Sequence, residues 1–174
     1  MVPRPEIKTI LYATDLGEQT RPVFRMAVSQ ARRYDARILM VHVVPPLGST
    51  AQSIVDTYLS REQAEKLHQE GMRHFLERMR ARLERFRKDE IEAYQINRVP
   101  VTEIIVVSGS YPSHEILRVA EEYQADMIVM GKSTHSFFNT DLMGTTARRV
   151  TRYSHVPVLL VPNNTPHGAV NADV

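Results

Sequence analysis

Short apolar runs alternate with longer amphipathic stretches along this chain. The apolar runs have the length and composition of strands and cover residues 7–13, 36–44, 102–108, 127–130 and 158–161. The longer stretches repeat apolar residues at helical spacing, over residues 22–33, 60–86, 115–123 and 146–153. Strands that alternate with helices are typical of repeated βαβ units, in which the strands run parallel. The pattern therefore predicts an α/β, doubly wound domain with an open parallel five-stranded sheet.

Local signals indicate where helices begin and which sides pack on the sheet. Pro22 suits the first turn of the first helix. The packed side of that helix is predicted to carry Val23, Met26, Ala27, Gln30 and Ala31. Ser113 is predicted to be the N-cap of the third helix, because its hydroxyl can accept a free helix N–H. Residues 36–44 are almost all apolar, which indicates a central strand covered on both faces.

Polar residues and glycines follow several of the predicted strands. Thr14 and Asp15 end the first strand, Val43 lies at the end of the second, and Gly131 follows the fourth. In a doubly wound sheet, ligands bind beyond the carboxyl ends of the strands, where the strand order reverses. We therefore expect these residues to line one crevice, beside the helix that begins after Gly144.

The glycine turns near this crevice have the chemistry of a phosphate site. The first N–H groups of a helix lack internal partners and carry about half a positive charge. Gly131 and Gly144 lack a Cβ, so their backbone can take a positive φ and approach an anion closely. Hydroxyls of Thr145 and Thr146 and the charge of Lys132 add donors. The alternative is structural, with Gly131 only turning the chain and Thr145 only capping a helix.

Composition and spacing exclude several other chemistries. The chain has no cysteine, which removes disulfides, iron–sulfur clusters and thiol nucleophiles. Net charge is only +2, and acidic residues interleave with the basic segment 73–88, so we expect a solvated helix face and no nucleic-acid surface. The histidines lack the spacing of metal ligands, and His42 is expected to be a hydrogen-bonded core histidine. Residues 131–134 are not a P-loop, because position 126 is Asp rather than Gly.

Length and hydropathy indicate the domain organisation and the cellular location. The 174 residues fit one domain, predicted over residues 1–162 and followed by a frayed tail over 163–174. No run approaches the roughly 20 apolar residues of a membrane span, and residues 1–6 lack the apolar core of a signal peptide. We therefore expect a cytoplasmic protein that does not interact with membranes.

Several segments of the chain resemble the universal stress protein family. The hallmark of that family is Gly, two residues, Gly, nine residues, Gly, then Ser or Thr, and here the four positions are Gly131, Thr134, Gly144 and Thr145. The resemblance extends to Ile10-Leu-Tyr-Ala-Thr-Asp15, Met40-Val-His-Val-Val44, Asp126-Met-Ile-Val-Met-Gly131 and Val156-Pro-Val-Leu-Leu-Val161. Thr134 departs from the pattern, because a β-branched residue resists the positive φ that glycine permits.

The resemblance implies a Rossmann-like sheet of order 3-2-1-4-5 and, in the nucleotide-binding branch, ATP between the first and fourth strands. The residue matching Asp15 would lie by the adenosine, and the backbone at Val43 would read the adenine edge. Residues matching Gly131, Gly144 and Thr145 would hold the phosphates. The full set of predicted site residues is Thr14, Asp15, Val43, Gly131, Lys132, Thr134, Gly144, Thr145 and Thr146.

Three functions follow in order of preference. The first is a stress-response protein that binds ATP, with or without Mg²⁺, and acts through partners, with slow hydrolysis at most and no catalytic residue assigned. The second is a dimeric interaction module of the same family without a nucleotide, and the third is an adenylate-forming enzyme. An apolar edge formed by residues 156–161 predicts a homodimer through the last strand. The alternative is an edge shielded by Pro157 and Pro162.

Overall fold

Five strands and four helices alternate along the described part of the chain. The computed structural model describes residues 6–16, 20–46, 61–93, 101–132 and 143–162. The strands are β1 (Thr9–Ala13), β2 (Arg37–Val44), β3 (Val101–Ser108), β4 (Met127–Gly131) and β5 (Val158–Val161). The helices are α1 (Arg21–Tyr34), α2 (Arg61–Ala93), α3 (Pro112–Glu122) and α4 (Thr145–Tyr153). The predicted tail, residues 163–174, lies outside the described residues.

All strands pair in parallel in one sheet of order β3-β2-β1-β4-β5, which confirms the expected topology. Tyr12 of β1 is opposite Met40 of β2 on one side and Val129 of β4 on the other. The chain first winds outward from β1 to β3 and then crosses to β4. The strand order therefore reverses between β1 and β4, where an open α/β sheet leaves a crevice at its carboxyl end.

Side-chain alternation along the strands divides the core into two layers. Ile10 and Tyr12 of β1 face the layer that contains α1 and the buried Leu83 of α2. Leu11 and Ala13 face the opposite layer, which contains α3 and α4. Successive side chains of a strand point to opposite faces, so a strand buried on both sides must be apolar throughout. Helices on both faces are thus a direct consequence of the continuous apolar runs.

Some predicted helix details are wrong. Ser113 does not cap α3, because the helix already begins at Pro112 with Tyr111 at the N-cap position, and Ser113 is buried in the first turn. In α1 the buried side consists of Val23, Phe24, Ala27, Val28 and Ala31, whereas Met26 is 38% exposed. The α2 helix continues to Ala93 rather than stopping at residue 86. None of the helices in the described ranges is long and apolar enough to cross a membrane.

The outer edge of β3 carries a contact from α2. The backbone N–H of Gly109 donates to the Val44 carbonyl of β2 at 3.0 Å. Because backbone groups alternate in direction along a strand, the Ile104 carbonyl five residues earlier faces away from β2. Arg80 of α2 donates a 2.8 Å hydrogen bond from its Nη2 to that carbonyl. An arginine thus occupies a backbone acceptor on this edge of the sheet.

One carboxylate joins the amino ends of the two central strands. Oδ2 of Asp126 accepts hydrogen bonds from the backbone N–H groups of Lys8, at 2.8 Å, and Thr9, at 2.9 Å. The Asp126 N–H in turn donates to the Thr9 carbonyl at 2.8 Å. Hydrogen bonds to a charged acceptor are stronger than those between neutral groups. Asp126 therefore fixes the start of β4 against the start of β1.

We expect Asp126→Asn to lower the free energy of unfolding by about 1–3 kcal/mol, because an amide oxygen replaces the charged acceptor of two backbone N–H groups. Urea denaturation followed by circular dichroism measures this change. Glu92→Gln, which removes the same charge from an exposed position of α2, is the control and should leave stability within about 0.5 kcal/mol of the parent. Equal stability of the two variants would contradict the role given to Asp126.

Candidate functional site

A cavity of about 520 Å³ opens at the carboxyl ends of β1, β2 and β4. Its walls consist of Tyr12, Ala13, Thr14, Asp15, Thr20, Val23, Val41, His42, Val43, Pro45, Pro112, Ile116, Met130, Gly131, Lys132, Gly144, Thr145, Thr146 and Ala147. We call this cavity the crevice. Another cavity, between α2 and β3, has a similar volume, so volume alone does not single out the crevice. The crevice is distinguished by its position at the reversal of strand order and by its mixture of apolar walls with a few polar groups.

The end of β1 forms one wall through a compact set of hydrogen bonds. The Thr14 hydroxyl accepts the N–H of Leu16 at 3.1 Å, and Leu16 has a left-handed backbone with φ of 61°. Nδ1 of His42 lies 2.7 Å from the Thr14 carbonyl. A carbonyl only accepts, so Nδ1 carries the proton and donates. His42 is thus hydrogen-bonded, as expected, but it is half-buried and lines the crevice rather than lying in the core.

The Asp15 side chain lies against the start of α1. Thr20, the N-cap residue of α1, donates from its hydroxyl to Oδ1 of Asp15 at 3.2 Å. The Tyr12 hydroxyl donates to the Thr20 carbonyl at 3.4 Å. Tyr12 and Thr20 are buried, whereas Asp15 is exposed. A buried pair of residues therefore supports a carboxylate that faces the open side of the crevice.

The end of β4 and the start of α4 form the opposite wall. The Lys132 N–H donates to the Val161 carbonyl of β5, and the Lys132 carbonyl accepts from the Gly144 N–H, both at 2.9 Å. The first bond of the helical pattern runs from the Arg148 N–H to the Gly144 carbonyl at 2.9 Å. The N–H groups of residues 145–147 precede that bond and have no intrahelical partner. This helix end carries partial positive charge beside the crevice.

The backbone at Gly144 corrects one expectation from the sequence. Its φ of −58° and ψ of 149° lie in a region open to every residue. A positive φ is therefore not the reason for a glycine at this position. A residue without a Cβ would nevertheless let a ligand come close to the helix amides.

Eight of the nine predicted site residues line the crevice, and the ninth, Thr134, lies outside the described residues. The eight are Thr14, Asp15, Val43, Gly131, Lys132, Gly144, Thr145 and Thr146. Gly131 is the last residue of β4 and is opposite Val161, rather than part of a turn.

The crevice also contains three residues that the sequence pattern did not indicate, namely Tyr12, Thr20 and His42. Tyr12 and His42 occur inside apolar strands and were indistinguishable from core residues, although their polar atoms needed partners. Thr20 immediately precedes α1, which is the usual place for a structural cap. Its proximity to Asp15 was the available signal. Within the described ranges, no cluster of three or more histidine, aspartate or glutamate side chains is arranged to hold a metal ion.

Comparison with known proteins adds independent information. The model of the universal stress protein family matches residues 6–162. The universal stress protein in the QAH/OAS sulfhydrylase 3′ region of Thermus aquaticus is 30% identical over 154 residues, covering 88% of this chain and 98% of that protein.

Two solved structures share the fold. The hypothetical protein MJ0577 aligns with a TM-score of 0.68 and 22% identity, over 92% of this chain and 99% of its own. A universal stress protein crystallised in complex with cAMP aligns with a TM-score of 0.53 and 19% identity, over 91% of this chain and 99% of its own. At these identities the structural likeness concerns the architecture.

We expect Thr14→Val to destabilise the protein by about 1–2 kcal/mol, because the N–H of Leu16 would lose its acceptor. Thr14→Ser keeps the acceptor and should retain most of the stability. Urea denaturation of both variants measures the difference. If Val and Ser at position 14 proved equally stable, the hydrogen bond to Leu16 would not support this wall of the crevice.

Proposed function

Because the chain belongs to the universal stress protein family, we propose that its crevice binds an adenine nucleotide, with ATP as the expected ligand. The observation that carries this proposal is the convergence of Asp15, Val43, Gly131 and Gly144 on one cavity. These residues come from three strand ends and one helix start. Because these residues are far apart in the sequence, a separate local structural role for each of them would not explain why they meet at one cavity.

The phosphate end of the ligand would lie at the start of α4. The N–H groups of residues 145–147, which lack an intrahelical partner, the two threonine hydroxyls and the Lys132 side chain all suit phosphate oxygens. No acidic residue occurs in the first turn of α4, so the helix terminus keeps its attraction for an anion. Mg²⁺ would be held mainly by the phosphates themselves, as is usual for this ion.

The adenosine end would lie nearer the ends of β1 and β2. Apolar side chains such as Val41, Ile116 and Met130 offer a surface for a flat base, and the backbone at Val43 offers hydrogen bonds to its edge. The exposed Asp15 carboxylate can accept from a sugar hydroxyl. The relative that was crystallised with cAMP supports an adenine nucleotide as the class of ligand.

We infer that nucleotide binding, rather than chemistry on the nucleotide, is the main activity. In the described part of the chain the crevice does pair a hydroxyl with a carboxylate, Thr20 with Asp15 at 3.2 Å, but a carboxylate without a further group is a weak base for activating a threonine hydroxyl. The protein would act in the cytoplasm, in the response to stress, through protein partners that recognise its nucleotide-bound form. Slow hydrolysis of ATP is compatible with this role. A membrane or a nucleic acid is not among the proposed partners.

We further propose a homodimer formed through β5. The Pro157 and Val161 carbonyls accept N–H groups of Ile128 and Lys132, so odd-numbered residues of β5 face β4. The backbone groups of Val158 and Leu160 therefore face the edge that no other described strand covers. An apolar strand at such an edge is a template for pairing with a second copy. Without nucleotide binding, this edge would favour the dimeric interaction module as the function.

The phosphate site can be tested at Gly144, whose backbone conformation alanine can adopt. We expect Gly144→Ala to lower the affinity for ATP by about tenfold or more, since the new Cβ displaces hydrogen bonds to charged oxygens, and Gly144→Val to abolish binding. Isothermal titration calorimetry with ATP, with and without Mg²⁺, measures both. The affinity for adenosine should stay within about twofold of the parental value, because adenosine has no phosphate that contacts the start of α4.

Gly71→Ala provides the matched control for these variants. Gly71 lies in α2, and a Cβ built there meets nothing within 4 Å. ATP affinity should be unchanged in this variant, while helix propensity favours alanine by about 1 kcal/mol. Parental ATP affinity in Gly144→Val would refute the phosphate site. Absence of ATP binding by the parent protein would favour the interaction module instead.

The dimer can be tested by removing one outward N–H group from the edge. We expect Val158→Pro to shift the protein toward the monomer in sedimentation velocity, because proline cannot donate to a neighbouring strand. Val158→Ala truncates the same side chain but keeps the N–H, so it should remain dimeric. A monomeric parent protein, or a Val158→Pro variant as dimeric as the parent, would contradict pairing through β5.

A further inference from the structure

Thr20 occupies a helix-capping position but uses its hydroxyl elsewhere. It is the N-cap residue of α1, with φ of −77° and ψ of −28°, and among the described residues its side chain makes no capping hydrogen bond to the helix. An N-cap threonine ordinarily accepts the N–H of the second or third helical residue. The Thr20 hydroxyl instead donates to Oδ1 of Asp15 at 3.2 Å. Helix capping therefore does not explain the hydroxyl at this position.

The sequence of α1 explains why the hydroxyl is available. Arg21 is the first residue of the helix and Pro22 is the second. Proline has no backbone N–H, so one of the two usual donors to an N-cap side chain is missing. Pro22 also restricts the preceding backbone. The first turn of α1 thus reduces the demand for a capping acceptor and leaves Thr20 for another contact.

The surroundings hold Thr20 in place. Its exposed fraction is 4% and that of Tyr12 is 0%. The Tyr12 hydroxyl donates to the Thr20 carbonyl at 3.4 Å, and the Tyr12 ring packs against Phe24 of α1 with centroids 5.6 Å apart. A buried residue with a fixed backbone can orient an exposed partner at little entropic expense, because its own rotamer is already restricted.

We propose that Thr20 is a positioning residue of the crevice, whose hydroxyl orients the Asp15 carboxylate toward the adenosine of a bound nucleotide. This inference rests on the proposed function. Thr20 also lines the crevice, but its hydroxyl acts through Asp15. Its influence should therefore follow that of Asp15 and concern the nucleoside end of the ligand. The phosphate end, at Gly144 and the start of α4, belongs to the opposite wall.

The test compares three variants by calorimetry with adenosine and with ATP. Thr20→Val keeps the shape of the side chain and removes the hydroxyl. It should lower the affinity for both ligands by the same factor, about fivefold, as expected for loss of one hydrogen bond. Thr20→Ser restores the hydroxyl and should bind as the parent does. Gly144→Ala should weaken ATP alone. A merely structural defect at position 20 would also weaken both ligands, so the serine variant and a double-mutant cycle distinguish it from the positioning role.

A double-mutant cycle gives the second readout. In an Asp15→Ala background, Thr20→Val should have no further effect on adenosine affinity, because the group that it orients is gone. Thr20→Ala serves in place of Thr20→Val if the buried valine prevents folding, as judged by circular dichroism.

Different results overturn different claims. The positioning role is overturned, while nucleotide binding stands, if Thr20→Val binds adenosine and ATP with the parental affinity. It is also overturned if Thr20→Val lowers adenosine affinity by the same factor with and without Asp15. A serine variant as weak as the valine variant also overturns it. A parent protein that binds neither ligand overturns the proposed function, and the positioning role falls with it.

Discussion

The pairing of β1 with a parallel neighbour on each side is the constraint on which the rest of the structure depends. Residues 10–12 of this strand have no exposed surface, and their backbones are occupied by β2 and β4. Parallel neighbours require crossover connections, and the helices in those connections cover both faces of the sheet. The α1 helix, which follows β1, lies on one face of the sheet, and α4, which follows β4, lies on the other face. The two helices therefore diverge at the carboxyl ends of these neighbouring strands. The crevice is the space that this divergence leaves.

The polar groups of the crevice come largely from the backbone and from residues that other residues hold. The helix amides after Gly144 are fixed by α4, and the Asp15 carboxylate is supported by Thr20 and, through it, by Tyr12. Such groups are already oriented, so the binding of a ligand there would require little reorganisation. Apolar walls lie between the two polar ends. This organisation allows the two ends to be altered independently.

The sequence predicted those features that depend on periodicity and on strand ends. Continuous apolar runs such as 36–44 correctly indicated strands buried on both faces, and the polar residues after them lie at the crevice. The errors concern choices made in three dimensions. Ser113 looked like an N-cap, but Pro112 already suits the first helical position. The bond between His42 and Thr14 joins residues 28 positions apart, so no local pattern reports it. Thr20 had no predicted role, because only the folded molecule shows which acceptor its hydroxyl reaches.

The Arg80 contact with the Ile104 carbonyl makes the two margins of the sheet unequal. A sheet that offers equivalent bare margins can recruit copies on both sides and grow into a fibre. Here a guanidinium from α2 occupies a backbone acceptor of one margin, while the other, at β5, presents backbone groups in the described part of the chain. Two copies that meet margin to margin around a two-fold axis satisfy each other and leave nothing for a third. The arginine would thereby limit assembly to a closed pair.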